Sequence, residues 1–194
     1  MKVYAFLGRK LSGKDTCANL LIQDKLKDKK VKRLAFADHI KMTLAMMFNI
    51  TDTEVFHDQK RKETEKIYGD YTARDLMCWY GEQMRAKFGP TFFADIVKLM
   101  IEDASEDGYD AVVITDVRYV SEVEMLIPLP VELQIFYVDR SLILGALPDN
   151  AAESEKSVLK SLEFLNSNGL SYTTIDNNGD LDHLKHVYNI TYKI

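Results

Sequence analysis

Hydrophobic positions along the chain alternate between short continuous runs and segments of helical period. Five runs are typical of buried strands, at 3–7, 31–37, 110–115, 132–138 and 172–175. Helical spacing of apolar residues predicts helices over 16–26, 39–49, 72–88, 91–105, 120–127, 156–165 and 181–188. This alternation predicts an α/β fold in which the five strands form a parallel sheet with helices on both faces.

Two segments fall outside the pattern. Residues 51–71 are polar and highly charged, with few residues able to anchor a core, and are predicted to be peripheral and mobile. Residues 141–155 are predicted to be irregular, as in a lid over a bound substrate. We therefore expect a single domain over 1–194, with a helical substrate-binding region at 50–90 and a lid at 140–156.

Composition narrows the class of protein. With 46% hydrophobic residues, 28% charged residues and a net charge of −5, the chain has an ordinary soluble balance that argues against nucleic acid as the main partner. No charged leader precedes an apolar stretch and no run approaches bilayer length, so we expect a cytoplasmic protein without membrane contact. Cys17 and Cys78 lack metal-ligand spacing and are predicted to be free thiols in a reducing compartment.

A glycine-framed loop follows the first strand and precedes the first helix. The spacing from Gly8 to Gly13 and Lys14 is that of a P-loop, whose backbone N–H groups turn inward onto phosphate oxygens at a helix N-terminus. Arg9 and Lys10 either add positive charge beside the loop or are solvated. The sequence therefore predicts a triphosphate site, with these contributing residues: Gly8, Arg9, Lys10, Ser12, Gly13, Lys14, Asp15 and Thr16.

The motif departs from the usual pattern directly after its lysine. Asp15 stands where Ser or Thr normally holds Mg²⁺, and Thr16 comes one residue later. We favour the Thr16 hydroxyl over Asp15 as the direct Mg²⁺ ligand; Asp15 either contributes to the metal site or faces the positive end of the helix dipole. Asp116 ends a buried strand, where its carboxylate either holds Mg²⁺, directly or through water, or caps the turn into the next helix.

Charged residues follow several of the predicted strands. Because the carboxyl ends of parallel strands meet at one edge of a sheet, the P-loop, Asp116, Arg118 and Arg140 are expected to converge there. Phosphoryl transfer needs positive charge around the migrating group, which Lys14, Arg118, Arg140 and Mg²⁺ can supply. The constellation predicts a phosphoryl-transfer site.

A second group of cations lies on the helix predicted over 72–88. Arg74 and Arg85 are eleven residues apart, three helical turns, so both face the same side. They either bind a substrate phosphate or base there, or are solvated or paired with acids such as Asp75 and Glu82.

The order and spacing of four segments resemble a known family. GRKLSGKDT, LAFADHIKMTLA, YTARDLMCWYGEQMR with FFADIV, and VVITDVRYVSEVEML resemble the bacteriophage-type deoxynucleoside monophosphate kinases. They resemble almost as closely the animal-type phosphomevalonate kinases, which share the P-loop nucleoside monophosphate kinase fold. The resemblance covers nearly the whole chain, and its most specific parts are the SGKD core and the pair formed by Asp116 and Arg118.

The resemblance implies transfer of the γ-phosphoryl of ATP, with Mg²⁺, to a second phosphate in a three-layer α/β sandwich with a lid. It assigns the acceptor monophosphate to Lys41, Arg74, Arg85 and Arg118, and places Arg140 at the transferring phosphate or the adenine side. Glu153 and Glu155 match an acidic element that follows the lid. Beyond Arg140 at its entrance, the lid has no arginine, and Lys156 is a candidate substitute. The resemblance is also in keeping with a homodimer. If the protein is viral, its expected location is the host cytoplasm.

The acceptor is the point on which the two kinase types differ. The strip formed by Trp79, Tyr80, Phe92 and Phe93 favours a flat nucleobase if its rings face the substrate, whereas at least two of them are expected to pack between helices. We expect a deoxynucleoside monophosphate, bound in part by Trp79, with phosphomevalonate as the alternative. A non-catalytic ATP-binding regulatory module is the alternative from another class.

Overall fold

A parallel sheet organises the larger of two compact units into which the chain divides. The computed structural model describes residues 1–191, except for the side chains of 190 and 191. The sheet unit comprises residues 1–35 and the chain from 94 onward. The second unit, which we call the helical unit, comprises Phe36–Phe93.

The elements follow one another in the predicted alternation. The strands are β1 (Lys2–Leu7), β2 (Val31–Leu34), β3 (Lys66–Tyr68), β4 (Tyr71–Thr72), β5 (Ala111–Val117), β6 (Glu132–Asp139) and β7 (Thr173–Asp176). The α-helices are α1 (Lys14–Leu20), α2 (Asp38–Met47), α3 (Gln59–Thr64), α4 (Ala73–Phe88), α5 (Phe92–Glu106), α6 (Val120–Leu126), α7 (Ser141–Leu144), α8 (Glu153–Ser167) and α9 (Leu181–Thr191).

The five-stranded sheet has the order β2-β5-β1-β6-β7, with every neighbouring pair parallel. This confirms the predicted α/β class and its parallel sheet. Leu7 at the end of β1 lies level with Val117 of β5 and Tyr137 of β6, so the loops after these strands start at the same edge. The order reverses at β1, and ligands of open α/β sheets bind at such a reversal, outside the carboxyl ends of the strands.

Both faces of β1 are buried. Tyr4 and Phe6 belong to a core cluster that also contains Cys17 and Leu21 after the first loop and Leu184 and Tyr188 of α9. Val3, Ala5 and Leu7, which alternate with them, are fully buried. Two-sided burial is the reason that β1 is a continuous apolar run, and it anchors the loop that follows.

Residues 51–71, predicted to be peripheral, contain secondary structure that the sequence analysis did not predict. A 3₁₀ helix (Thr53–Phe56), α3 and the antiparallel hairpin of β3 and β4 occupy this segment. Val55 and Phe56 are each 1% exposed and anchor it. The rest of 51–71 is exposed or partly exposed, as expected of a peripheral segment. Two adjacent apolar residues in a charged stretch are too few to show a period, so the sequence pattern did not reveal these helices and this hairpin.

Several element ends differ from the sequence expectations. The strand expected to run to residue 37 ends at Leu34, and the helix expected from 156 begins at Glu153. Acidic residues at Glu153 and Glu155 favour the first turn of a helix, which explains the earlier start. The segment 141–155, expected to be irregular, contains α7.

Two smaller findings concern the cysteines and the membrane. Cys17 and Cys78 are free thiols, and burial raises the pKa of Cys17 to about 12. Within residues 1–191, no helix combines the length and hydropathy that a membrane span requires.

Candidate phosphate-binding site

The loop from Gly8 to Gly13 joins β1 to α1 and requires its two framing glycines. Gly13 has φ 95°, a left-handed conformation that favours glycine, and a Cβ there would collide with the side-chain amide of Asn177. At Gly8 a Cβ would lie 2.6 Å from the Ser12 hydroxyl and 3.0 Å from the Val138 carbonyl oxygen. Neighbouring atoms lie so close to the backbone at both positions that a side chain larger than that of glycine would not fit.

The start of α1 provides backbone donors. The Cys17 N–H donates to the Gly13 carbonyl at 3.0 Å, which closes the first helical turn. The N–H groups of Lys14, Asp15 and Thr16 precede this bond and have no acceptor within the helix. A helix start of this kind, directly after a glycine-framed loop, is an anion-binding arrangement.

Lys14 lies inside the site and is 5% exposed. Its ammonium donates to the Arg9 carbonyl at 2.6 Å. Burial, together with the nearby positive charge of Arg118, lowers the pKa of Lys14 to about 7. Three carboxylates oppose the lowering, those of Glu155, Asp15 and Asp116. The sheet edge thus brings together charged groups that are far apart in the sequence.

Three buried polar side-chain atoms lack a hydrogen-bond partner among residues 1–191. They are Oγ of Ser12, Nε of Arg9 and Nε of Arg140. Ser12 and Arg9 belong to the loop after β1, and Arg140 follows β6, the strand paired with β1. Buried polar atoms in proteins normally have partners, so an unsatisfied set at this edge indicates a site that a polar ligand completes.

Arg118 is held at three points. Its backbone N–H donates to Glu122 at 2.7 Å, and its carbonyl accepts from the Ser161 hydroxyl at 2.9 Å. Its guanidinium donates to the Glu155 carboxylate. The other oxygen of Glu155 accepts the backbone N–H of Lys10 at 2.8 Å, so this carboxylate joins Arg118 to the loop.

The predicted metal ligands lie in different surroundings. Thr16 is exposed on the first turn of α1, and Asp15 forms an ion pair with Arg33 at 2.5 Å. Asp116 is half-buried in β5, at a register shift that inserts one additional residue opposite β1.

These hydroxyl and carboxylate oxygens are donors that suit Mg²⁺. Among the described residues, no group of three or more His, Cys, Asp or Glu side chains could hold a metal. Mg²⁺ commonly takes one or two protein oxygens and completes its shell with substrate phosphates and water, so the donor set fits this ion.

Asn177 belongs to the site although the sequence analysis assigned it no role. It is 4% exposed, and its side-chain amide donates to the Ser12 carbonyl at 2.8 Å. Its own N–H donates to the Asp139 carbonyl at 2.7 Å. The available signal was its position directly after β7, at the edge where the other strands deliver charged residues.

The backbone of the segment predicted as a lid contacts the phosphate loop and a residue that follows β7. Arg9 donates from Nη1 to the Gly145 carbonyl at 2.6 Å, and the Leu142 N–H donates to Asn178 at 2.9 Å. Lys156, the candidate substitute for a lid arginine, donates to the Asp149 carbonyl at 2.8 Å.

The remaining predicted substrate residues belong to the helical unit. Lys41 pairs with Asp38 at 3.1 Å, and Arg74 is half-buried on α4. The Arg85 guanidinium lies 4.9 Å from the centre of the Phe93 ring. Phe93 is 2% exposed, whereas Trp79 is 50% exposed. Phe93 is therefore a packing residue, and Trp79 presents an accessible ring.

A sequence model of the phosphomevalonate kinase family matches residues 6–129, which include the phosphate loop, Asp116 and Arg118. The chain belongs to the phosphomevalonate kinase family. Membership in this kinase family identifies a phosphotransferase and implies the use of ATP. No curated protein matches the sequence. Among solved structures, an unliganded sugar kinase from Janibacter sp. HTCC2649 is similar over 100% of this chain and 94% of that chain, with 14% identity and a TM-score of 0.45.

Proposed function

We propose that this kinase transfers the γ-phosphoryl group of ATP to the phosphate of a deoxynucleoside monophosphate, giving the diphosphate. The observation that carries the ATP half of the proposal is the set of unsatisfied buried atoms around the phosphate loop. Ser12 and Arg9 offer donors that polyphosphate oxygens would satisfy, at the N-terminus of a helix. A loop of this kind binds the phosphates rather than the base.

The transfer step depends on charge placed around the migrating group. In the proposal, Lys14, Arg118 and Arg140 stabilise the negative charge that spreads over the phosphoryl oxygens. Thr16, Asp15 and Asp116 would hold Mg²⁺, which when bound neutralises phosphate charge. Because the protein contributes mainly position and charge, these side chains need to be held in place before ATP arrives.

The acceptor half of the proposal draws on the helical unit. Lys41, Arg74 and Arg85 are assigned to the acceptor phosphate. Arg74 and Arg85 stand three turns apart on one side of α4, and the ring packing of Arg85 against Phe93 limits its freedom. Trp79 favours a nucleotide, because a half-exposed aromatic ring is able to stack on a base.

Phosphomevalonate is the second candidate acceptor, and the family match favours it. It carries the same chemical handle, a terminal phosphate that arginines bind. It has no ring, so it does not need Trp79. The two candidates therefore differ in their dependence on one side chain.

An acceptor panel tests the choice. ADP release from Mg·ATP is measured with each deoxynucleoside monophosphate, each ribonucleoside monophosphate and phosphomevalonate. We expect turnover with at least one deoxynucleoside monophosphate, and a Trp79→Ala variant that loses roughly tenfold in kcat/KM for it. Turnover with phosphomevalonate alone, unaffected by Trp79→Ala, would show that the nucleotide assignment is wrong.

A Lys14→Ala variant tests the loop itself. Removing the buried ammonium should lower phosphoryl transfer by about 10³-fold or more while the protein stays folded, because the lysine acts on the transferring charge. Lys25→Ala is the matched control, since Lys25 is a partly exposed lysine just after α1. ATP binding without acceptor-dependent ADP release in the wild type would instead identify a regulatory ATP-binding module.

A further inference from the structure

The carboxylate of Glu155 connects two parts of the phosphate site that no sequence motif links. One oxygen accepts the backbone N–H of Lys10 in the loop, and the other accepts from the Arg118 guanidinium. Glu155 lies on the first turn of α8, near the C-terminal end of the segment 140–156 that was predicted as a lid. A single side chain thus joins the phosphate loop, the residue after β5 and the end of the predicted lid.

Burial makes this bridge specific. The side chain of Glu155 is 11% exposed and that of Arg118 is 19% exposed. A buried carboxylate is tolerated only when it is paired and hydrogen-bonded, and both oxygens of Glu155 have such a partner. The arrangement differs from that of Glu153, two residues earlier on α8. Glu153 pairs with Lys160, and both of these side chains are more than half exposed.

The backbone of Arg118 is fixed without Glu155. Glu122 accepts its N–H and Ser161 donates to its carbonyl, so the Cα position is set by α6 and α8. Within Arg118, Glu155 contacts the guanidinium. Its effect on Arg118 is therefore on the direction of the charged end, and its second contact is with the backbone of the phosphate loop at Lys10.

We propose that Glu155 is a positioning residue that holds the Arg118 guanidinium at the phosphate loop before nucleotide binds. A guanidinium has five N–H donors, so the bond to Glu155 leaves others for phosphate oxygens. Holding the group in advance removes the reorganisation that a freely rotating arginine would undergo during transfer. The inference rests on the proposed function, because it gives Arg118 a role at the transferring phosphate.

Glu155 has one competing explanation. A carboxylate that accepts a loop N–H and an arginine resembles a bound phosphate, and it would then be a competitor that ATP displaces. The two explanations predict opposite results for removal of the charge. Loss of a competitor tightens ATP binding and leaves turnover intact, whereas loss of a positioning group lowers turnover.

The variant that separates them is Glu155→Gln, with Glu153→Gln as the matched control on the same helical turn. We expect Glu155→Gln to lower kcat by roughly 10- to 100-fold, the scale of a misplaced catalytic group. KM for ATP should change by less than about threefold, because the loop contacts of the substrate remain. Glu153→Gln should keep both constants. Tighter ATP binding with unchanged kcat would overturn the proposal.

A double-mutant cycle tests whether Glu155 acts through Arg118. Arg118→Gln alone should lower kcat at least as much as Glu155→Gln, and the double variant should be no slower than Arg118→Gln. A purely structural role predicts that the two losses add and that they follow the fall in Tm. Additive losses would therefore overturn the proposal.

A measurement without nucleotide separates this inference from the proposed function. In ¹⁵N NMR of the free protein, slow rotation of the Arg118 guanidinium is expected in the wild type and in Glu153→Gln, and fast rotation in Glu155→Gln. Slow rotation in a wild type that phosphorylates no acceptor would contradict the proposed function but support the hold on Arg118. Fast rotation in the wild type would overturn the positioning role whatever the activity.

Discussion

The phosphate loop and the charged segment 51–71 are both rich in polar contacts, but the contacting residues are separated by different distances along the sequence. Lys10 bonds to Glu155 across 145 residues, and Ser12 bonds to Asn177 across 165. In the charged segment, Arg61 bonds to Asp52 and Glu65, which are nine and four residues away. Contacts with distant parts of the chain thus stabilise the phosphate loop, whereas the contacts of Arg61 in the charged segment are local.

Burial differs in the same direction. Asn177 is 4% exposed and the side chain of Glu155 is 11% exposed, whereas the side chains of Arg61 and Asp52 are 36% and 63% exposed. A buried donor or acceptor that loses its partner costs about 1–3 kcal/mol, and an exposed ion pair is worth much less. We therefore expect substitutions at the loop to affect stability and nucleotide binding together, and substitutions in the charged segment to have small effects.

The largest effect is expected from Gly13→Ala. The new Cβ combines a left-handed backbone with a collision against Asn177. We expect a stability loss of about 2 kcal/mol or more, seen as a fall in Tm of roughly 4–8 °C, and loss of Mg·ATP binding by calorimetry. Gly108→Ala is the control, because Gly108 has φ 70° but open space around it. Equal losses of stability in Gly13→Ala and Gly108→Ala would show that the collision with Asn177 contributes nothing.

Asn177→Ala is expected to have the next largest effect. It leaves the buried Ser12 carbonyl without this donor, at a cost of about 1–3 kcal/mol, and should weaken Mg·ATP binding roughly tenfold. Because the Asn177 side chain is what a Cβ at Gly13 would meet, Gly13→Ala should be less harmful in the Asn177→Ala background. Asn178→Ala, whose side chain bonds to Leu142 and Asp176, should leave ATP affinity unchanged. If the stability losses of Gly13→Ala and Asn177→Ala were additive, the close contact inferred between residue 13 and the Asn177 side chain would be contradicted.

A smaller, pH-dependent effect is expected at the start of α4. The Asp75 carboxylate accepts the N–H of Thr72 at 2.9 Å and its hydroxyl at 2.7 Å, which lowers the pKa of Asp75. The stabilisation is therefore complete above the unfolded pKa of about 3.9 and is lost as pH falls through the lower folded value. Asp75→Asn should cost about 1 kcal/mol at pH 7 by urea unfolding, and the difference from wild type should shrink as the pH falls below the unfolded pKa. Glu82→Gln on the same helix is the control. A difference in stability that does not depend on pH would contradict the role given to the Asp75 carboxylate at the start of α4.

The smallest effect is expected from Arg61→Ala. Its ion pairs with Asp52 and Glu65 are exposed and are screened by salt. The fall in Tm should be the least of the four variants and should disappear in about 1 M NaCl, where the Debye length is about 3 Å. A loss as large as that of Asn177→Ala would contradict the comparison between the two regions.

The same difference in range explains what the sequence could predict. The strands around β1 were predictable because burial on both faces produces continuous apolar runs, and the P-loop because its spacing is local. Asn177 and Glu155 were not assigned these contacts, because their partners lie 165 and 145 residues away and no period reveals which polar groups meet. Val55 and Phe56 escaped notice because two apolar residues make no pattern.

The central claim, that a γ-phosphoryl group passes from ATP to a second phosphate, is tested most directly by ³¹P NMR of the purified protein with Mg·ATP and the acceptor panel. We expect the single phosphate resonance of a deoxynucleoside monophosphate to be replaced by the two coupled resonances of a diphosphate while ADP appears in equal amount. The Lys14→Ala protein should show neither change. Phosphate release to water alone, or bound ATP that stays intact with every acceptor, would contradict the account.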